Sequence, residues 1–282
     1  MKQINSNQKM QAFARENRRN GKTIALVPTM GFLHEGHLEL MRKARKKADL
    51  VVVSIFVNPI QFGPNEDLDR YPRDLKGDLE KCQSVGVDVV FTPTPKELYP
   101  DHFQTAVVVS DITKVLCGAS RPNHFQGVTT VVSKLFNLTL PDFALFGEKD
   151  FQQLAVIRRM VIDLNFPLEI IGVPIVRESD GLAMSSRNAY LPAKERAEAP
   201  AIYKALSAAR ELFHQGMDDA EKLCQAVSAQ LNKSIESDFK IEYIEIYDSD
   251  NLTRIENKIS SKATILIAVH LGKTRLIDNL QL

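Results

Sequence analysis

The chain is short of cysteine, of long apolar runs and of any excess of one charge, and each shortage excludes a class of protein. Its three cysteines, Cys82, Cys117 and Cys224, are odd in number and far apart, with no CxxC pair. That excludes a disulfide framework and a cysteine-based zinc site, and it suits a reducing cytoplasm. No apolar run approaches the ~20 residues of a membrane-spanning helix. The opening stretch "MKQINSNQKMQAFARENRR" lacks the apolar core of a secretory signal. Lys and Arg number 36 against 35 Asp and Glu, a formal net charge of +1. A balance this close carries no global signal for nucleic acid or a membrane surface as partner. Neither an internal repeat nor a low-complexity segment occurs.

What is present is ordinary in bulk and informative in pattern. The 282 residues are 44% hydrophobic and 25% charged, enough for one large domain or two of ordinary size. In the first part, apolar runs alternate with amphipathic helical stretches. "TIALVPT" (23–29) is followed by the helical "HLELMRKARKKA" (37–48), then by "LVVVSIFVN" (50–58), apolar at successive positions. Such a run suits a strand buried on both faces of a parallel sheet. A helix over "LDRYPRDLKGDLEKCQSV", strands at "VDVVFTP" and "TAVVVS", a helix at "GVTTVVSKLFNLTL", and a strand, helix and strand from "FALFGEKD" to "LEIIGVPIV" continue the alternation. The expected class is α/β, a Rossmann-like parallel sheet with ligands at the carboxyl ends of its strands. From about Arg177 the pattern becomes two helices and then alternating strands, "FKIEYIEIYD", "ATILIAVHLG" and "TRLIDNLQL". Two domains are therefore expected: residues 1–176, Rossmann-like, and 177–282, a smaller α+β domain closing over the site.

The stretch "PTMGFLHEGH" (28–37) follows the first of these strands and sets His34 and His37 three residues apart. The zincin motif needs its histidines at i and i+4 on a formed helix, and no third ligand is evident, so no metal site is assigned. The position, a strand end running through glycines into a helix start, favours an anion through free N–H groups and the helix dipole. Imidazoles there are suited to phosphate oxygens; a pair of capping histidines is the equally good alternative. Neither GxxxxGK[ST] nor GxGxxG is present, so a phosphate site needs cations from elsewhere. "GEKD" (147–150) and "MSSRN" (184–188) follow later strands and offer Lys149, Asp150, Ser185, Ser186 and the planar fork of Arg187. Each also reads as a surface turn or a helix cap. Asn58 and Gln61 close a buried strand with neutral amides fit to grip a hydroxyl or carboxylate, or else mark a strand-to-loop transition at Pro59. Arg121 and His124, in "SRPNHFQGV", stand ahead of a helix as an exposed loop or a carboxylate-binding flap.

Taken in order, "PTMGFLHEGH", "SIFVNPIQF", "DLDRYPR", "RPNHFQGV", "LFGEKDFQQL" and "GLAMSSRN" resemble the segments of the pantoate–β-alanine ligase family. The resemblance runs from about residue 22 to 192. It implies an ATP-dependent ligase that joins pantoate and β-alanine through a pantoyl adenylate, with Mg2+ accompanying the triphosphate and a homodimer as the assembly. Carried over by position, Met30, Gly31, Phe32, Leu33, His34, Glu35, Gly36 and His37 would line the ATP site. His34 and His37 would contact phosphates, and His37 would be the proton donor. Gly147, Glu148, Lys149 and Asp150 would bind nucleotide, with Lys149 reaching the phosphates. Val176 would touch the adenine, and Met184, Ser185, Ser186 and Arg187 would close over the phosphates. Gln61 and Gln153 would hold pantoate, Gln61 lying near β-alanine. Cys117 stands where the family more often has glutamate, and Asn123 where glycine is common. The rival is a nucleotidylyltransferase acting on a phosphorylated acceptor, which would need basic residues at 58, 61 and 153.

Overall fold

A computed structural model describes residues 1–64 and 66–282 of the chain. Its strands in the first part are β1 (Lys2–Ile4), β2 (Ile24–Thr29), β3 (Leu50–Ile55), β4 (Val89–Phe91), β5 (Phe143–Gly147) and β6 (Glu169–Val173). The helices are α1 (Asn7–Arg19), α2 (Glu35–Arg45), α3 (Leu75–Ser84), α4 (Pro95–Leu98), α5 (Cys117–Ser120), α6 (His124–Thr139) and α7 (Phe151–Asp163). Among the described residues six strands form one sheet, ordered β1-β4-β3-β2-β5-β6 and parallel throughout. Val51, Val52 and Val53 of β3 are all buried, as helices on both faces require. Met41 and Ala44 of α2 and Cys82 of α3 pack with Val27, Val51 and Val53 in the core.

The order reverses between β2 and β5: the chain passes from β2 to β3 on one side and from β5 to β6 on the other. Such a switch point opens a crevice at the carboxyl ends of the flanking strands. Here β2 pairs with β5 only at Ala25 and Leu26, while its pairing with β3 continues to Thr29. Pro28, which lacks an N–H, falls beyond that shorter pairing.

By its contacts the chain divides into two compact units, Met1–Glu148 with Val156–Pro174, and Lys149–Ala155 with Ile175–Leu282. The second contains α8 (Ala193–Glu198), α9 (Ala201–His214), α10 (Ala220–Ser234), β7 (Phe239–Asp248), β8 (Ala263–Leu271) and β9 (Thr274–Gln281). Its three strands form an antiparallel sheet in sequence order. Ile202, Leu206, Leu223 and Val227 of the helices bury against Ile265, Ile267 and Val269 of β8.

Three expectations are corrected. Thr105–Ser110 forms no strand: Val107 N–H donates to Thr130 Oγ1 at 3.1 Å and its carbonyl accepts from Thr129 Oγ1 at 2.6 Å. Side chains of α6 thus replace a neighbouring strand. The helix expected over 68–85 begins only at Leu75, where the Asp74 carboxylate caps the Gly77 N–H at 3.1 Å. The stretch "PAKERAEAPAIYKALSAARELFHQG" (192–216), whose pattern predicts one helix closed by Gly216, forms two, α8 and α9, broken at Pro200.

Carboxylates tie the sheet's leading edge. Asp142 accepts the Ile24 N–H on its side chain at 2.8 Å, and its own N–H and carbonyl bond Ile24 and Glu169. One residue therefore registers β2, β5 and β6. Asp142→Ala should lower the unfolding free energy by about 1–3 kcal/mol, the range for a hydrogen bond to a charged group. Urea denaturation checks this; an unchanged midpoint would show the registration to be redundant.

Candidate functional site

At the carboxyl end of β2 the chain makes a turn that few sequences tolerate. Gly31 and Phe32 both have positive φ, 84° and 50°, and for Phe32 that region is strained. Thr29 Oγ1 donates to the Ser54 carbonyl at 2.8 Å and accepts the Gly31 N–H at 3.2 Å. The decisive partner is Asp78 of α3, 1% exposed. Its carboxylate accepts the Phe32 N–H at 2.8 Å and the Leu33 N–H at 2.7 Å. Burial pushes the Asp78 carboxyl above its usual range, while the two N–H groups and Lys81 pull it back. Lys81 Nζ donates to the Leu33 carbonyl at 2.8 Å. A Cβ on Gly31 would stand 3.0 Å from Asp78 Oδ2 and 3.1 Å from Ile55 Cγ2, so glycine suits the position on conformation and on space.

This turn delivers His34 as the N-cap of α2. His34 Nδ1 accepts the Gly36 N–H at 3.2 Å, and His37 Nδ1 accepts the His34 N–H at 3.3 Å, a reciprocal capping box. A nitrogen that accepts from a backbone N–H carries no proton, so each neutral ring holds its proton on Nε2. The ring centroids lie 4.1 Å apart. Both readings of the histidine pair therefore apply together: they cap the helix, and capping fixes their tautomers. The carboxylate of Glu35 pairs with Arg42 of its own helix. Among the described residues no group of three His, Cys, Asp or Glu could hold a metal ion.

The turn after β3 meets this one. Gln61, 8% exposed, ends the short 3₁₀ turn Pro59–Gln61 and places Nε2 3.2 Å from Met30 Sδ. Asn58 is 1% exposed, and its Nδ2 donates to Gln61 Oε1 at 3.0 Å and to the Gly127 carbonyl at 3.1 Å. Its Oδ1 accepts from Tyr99 Oη at 2.8 Å. Both amide protons of Asn58 thus go to protein acceptors, one of them Gln61. Arg121 and His124 belong to the same scaffold: Arg121 pairs with Glu66, and Nη1 lies 3.2 Å from His124 Nε2. His124 Nδ1 donates to the Gln61 carbonyl at 2.9 Å.

Gly147 and Glu148 leave β5 beside the switch point. Lys149, Asp150 and Gln153 belong to the second unit, as do Val176 and Met184–Arg187. There Asn279 Nδ2 donates to the Lys149 carbonyl at 3.0 Å. Its neighbour Asp278 takes a two-pronged ion pair from Arg177, at 2.7 and 2.9 Å. Burial raises the Asp278 carboxyl and Arg177 opposes that. Arg177 also donates to the Gly181 carbonyl at 3.1 Å and stacks over the Tyr203 ring at 3.8 Å. Val176 accepts the Met184 N–H at 3.0 Å, closing a hairpin around Gly181. Ser185 Oγ then caps the Arg187 N–H at 3.3 Å, starting the 3₁₀ turn Ser186–Tyr190. Adjacent residues of β9 thus anchor the Lys149 turn and the 176–187 hairpin. Asp78, Tyr99, Gly127 and Asn279 are not singled out by the sequence; only the polar pair Asp278–Asn279, set between Ile277 and Leu280 of β9, leaves a signal.

Comparison with known proteins agrees over the whole length. The family model described as pantoate-beta-alanine ligase matches residues 2–281. The pantothenate synthetase of Geobacter sulfurreducens is 55% identical over 279 residues, 99% of this chain and 98% of its own length. That of Syntrophotalea carbinolica is 54% identical over 276 residues, 98% and 96% of the two chains. The crystal structure of pantothenate synthetase from Thermus thermophilus matches with a TM-score of 0.93 at 45% identity, covering 99% of each chain. The pantoate-beta-alanine ligase of Francisella tularensis, solved with beta-gamma ATP and beta-alanine, matches with a TM-score of 0.80 at 34% identity, covering 99% of this chain and 97% of that one.

Asp78→Ala would leave two interior N–H groups without their acceptor. Hydrogen exchange at Phe32 and Leu33 should then accelerate by about tenfold or more relative to the β3 amides. Equal protection in the variant would show that Asp78 does not hold the turn.

Proposed function

The chain belongs to the pantoate–β-alanine ligase family, and from that premise we propose that it activates pantoate with ATP as an acyl adenylate and then passes the acyl group to β-alanine. In the first step a pantoate carboxylate oxygen attacks the α-phosphorus and pyrophosphate departs. In the second the β-alanine amine attacks the acyl carbon, the acyl–oxygen bond to AMP breaks, and the nitrogen loses a proton as the amide forms.

The observation that carries this reading is the backbone N–H that each of the two imidazoles accepts on Nδ1. With Nδ1 of His34 and His37 each accepting a backbone N–H, each neutral ring bears its proton on Nε2, suited to phosphate oxygens. Charge accumulating on those oxygens is the main demand of phosphoryl transfer, and positioned donors meet it. His37 acts as the proton donor and His34 as its partner on the phosphates. Lys149 and Arg187 supply full positive charge, and Ser185 and Ser186 supply hydroxyl and backbone donors. The ATP contacts further comprise Met30 to His37, Gly147 to Asp150, Val176 and Met184. Gln61 and Gln153 hold pantoate. A neutral amide suits a carboxylate that must stay nucleophilic, since a tight guanidinium pair would stabilise its charge before attack.

Magnesium fits as a companion of the triphosphate. No described cluster of three ligating side chains exists, and Mg2+ commonly takes one or two carboxylates along with phosphates and water. Asp150, exposed at the end of the 148–150 turn, is the carboxylate for that role. When bound, the ion offsets the negative charge of the phosphate oxygens. The same reading carries a cytoplasmic homodimer; no helix among the described residues is long and apolar enough to cross a membrane.

AMP release should require pantoate and β-alanine together, and pyrophosphate exchange should require pantoate alone. AMP release onto a phosphorylated acceptor without either acid would replace this reading with nucleotidyl transfer. His37→Ala should lower kcat by about 10²–10³-fold with an unchanged circular dichroism spectrum. A variant that folds normally and retains full turnover would remove His37 from the chemistry.

A further inference from the structure

We propose that Gln61 offers its ligand only an N–H donor, because a hydrogen-bond chain from the Gly127 carbonyl and the Tyr99 hydroxyl, through Asn58, fixes the direction of its amide. Tyr99 is on this account a positioning residue that acts at one remove from substrate. The proposal rests on the reading that Gln61 holds the acid substrate.

The chain can be followed atom by atom. A backbone carbonyl only accepts, so the atom of Asn58 that lies 3.1 Å from the Gly127 oxygen is Nδ2. Reversing that amide would set two oxygens against each other. Oδ1 therefore faces the Tyr99 hydroxyl, 2.8 Å away. Burial pushes the Tyr99 phenol well above its usual range, so it stays protonated and donates. The second proton on Asn58 Nδ2 points at Gln61, 3.0 Å distant, and must meet an acceptor. Gln61 is thus oriented with Oε1 inward and Nε2 outward, where Nε2 rests 3.2 Å from Met30 Sδ. A thioether sulfur is a weak acceptor, and a carboxylate or alcohol oxygen displaces it readily.

Rotation of the whole segment is blocked as well. The Gln61 carbonyl accepts from His124 Nδ1 at 2.9 Å. Residue 127 lacks a Cβ where one would stand 2.6 Å from Gln61 Cα and Ile60 O. Neither side chain nor backbone is left to present the opposite polarity. A carboxylate, which only accepts, is recognised by this arrangement; an uncharged primary amide at the same place is matched only through its oxygen.

The test uses the whole chain, three single variants and one double variant. Tyr99→Phe keeps the ring that packs near Phe56 and Phe103 and removes only the fixed donor. It should raise KM for pantoate about three- to tenfold, with KM for ATP within twofold and the thermal midpoint little changed. Asn58→Asp replaces the donor by an acceptor, so Gln61 must turn its Nε2 inward; KM for pantoate should rise further than in Tyr99→Phe. Gln61→Ala should raise KM for pantoate by itself, and adding Tyr99→Phe to it should bring no further loss. If Gln61→Ala leaves KM for pantoate unchanged, the assignment of Gln61 to the acid fails and the relay with it. If Gln61→Ala weakens pantoate but Tyr99→Phe does not, or if Tyr99→Phe still costs activity in the Gln61→Ala background, the relay is overturned while the assignment stands. Should Asn58→Asp fail to fold, Tyr99→Phe and the double variant decide alone.

Discussion

Two backbone N–H groups in the interior, those of Phe32 and Leu33, require an acceptor, and the carboxylate of Asp78 supplies both bonds. The left-handed conformations of Gly31 and Phe32 cost conformational energy that charge-assisted hydrogen bonds offset. With the turn held, Leu33 enters the core beside Val27 and Leu40 and His34 falls at the N-cap of α2. The reciprocal cap then sets the tautomer of both histidines. A single buried carboxylate on α3 thereby governs the orientation of two imidazoles it does not touch. Removing it would undo the turn without touching either imidazole directly.

The second unit uses the same device. Asp278, buried on β9, is met by Arg177 with two hydrogen bonds, and breaking such a pair by removing one partner costs about 3–5 kcal/mol. Asn279 beside it holds the Lys149 carbonyl. The buried polar pair stands between Leu276–Ile277 and Leu280 of β9, and it secures the segments carrying Lys149 and Arg187. In each unit an interior acid is satisfied by protein groups, and the segments it fixes carry the residues proposed above for the phosphates.

How much of this the amino-acid order reveals depends on the range of each interaction. The continuous apolar run at Leu50–Ile55 identified a parallel strand because burial on both faces leaves no alternation. The apolar Thr105–Ser110 looked alike, yet its backbone is satisfied by Thr129 and Thr130, hydroxyls that no local pattern links to it. Proline marked the break at Pro200 in the sequence, but a shared apolar stripe obscured it. His34, His37 and Gln61 were legible as chemistry since they sit on turns following strands. Asp78 is not: it lies 45 residues from Leu33, on a helix whose other charged residues, Lys76, Glu80 and Lys81, give no local reason to single it out. For Asn58 the sequence shows a neutral amide beside a strand end; its bonds to Gln61, Gly127 and Tyr99 come from distant segments and leave no local trace.

The central claim is that the fold presents His34 and His37 as Nε2–H donors before any ligand arrives. Long-range proton–nitrogen correlation spectra of the imidazoles, recorded above the histidine titration and then with ATP, test it most directly. Both rings should show the Nε2–H pattern in the free protein, and their Nε2 resonances should shift on addition of ATP while Nδ1 keeps its acceptor signature. An Nδ1–H pattern in either ring, or Nε2 signals that ignore ATP, would contradict the account.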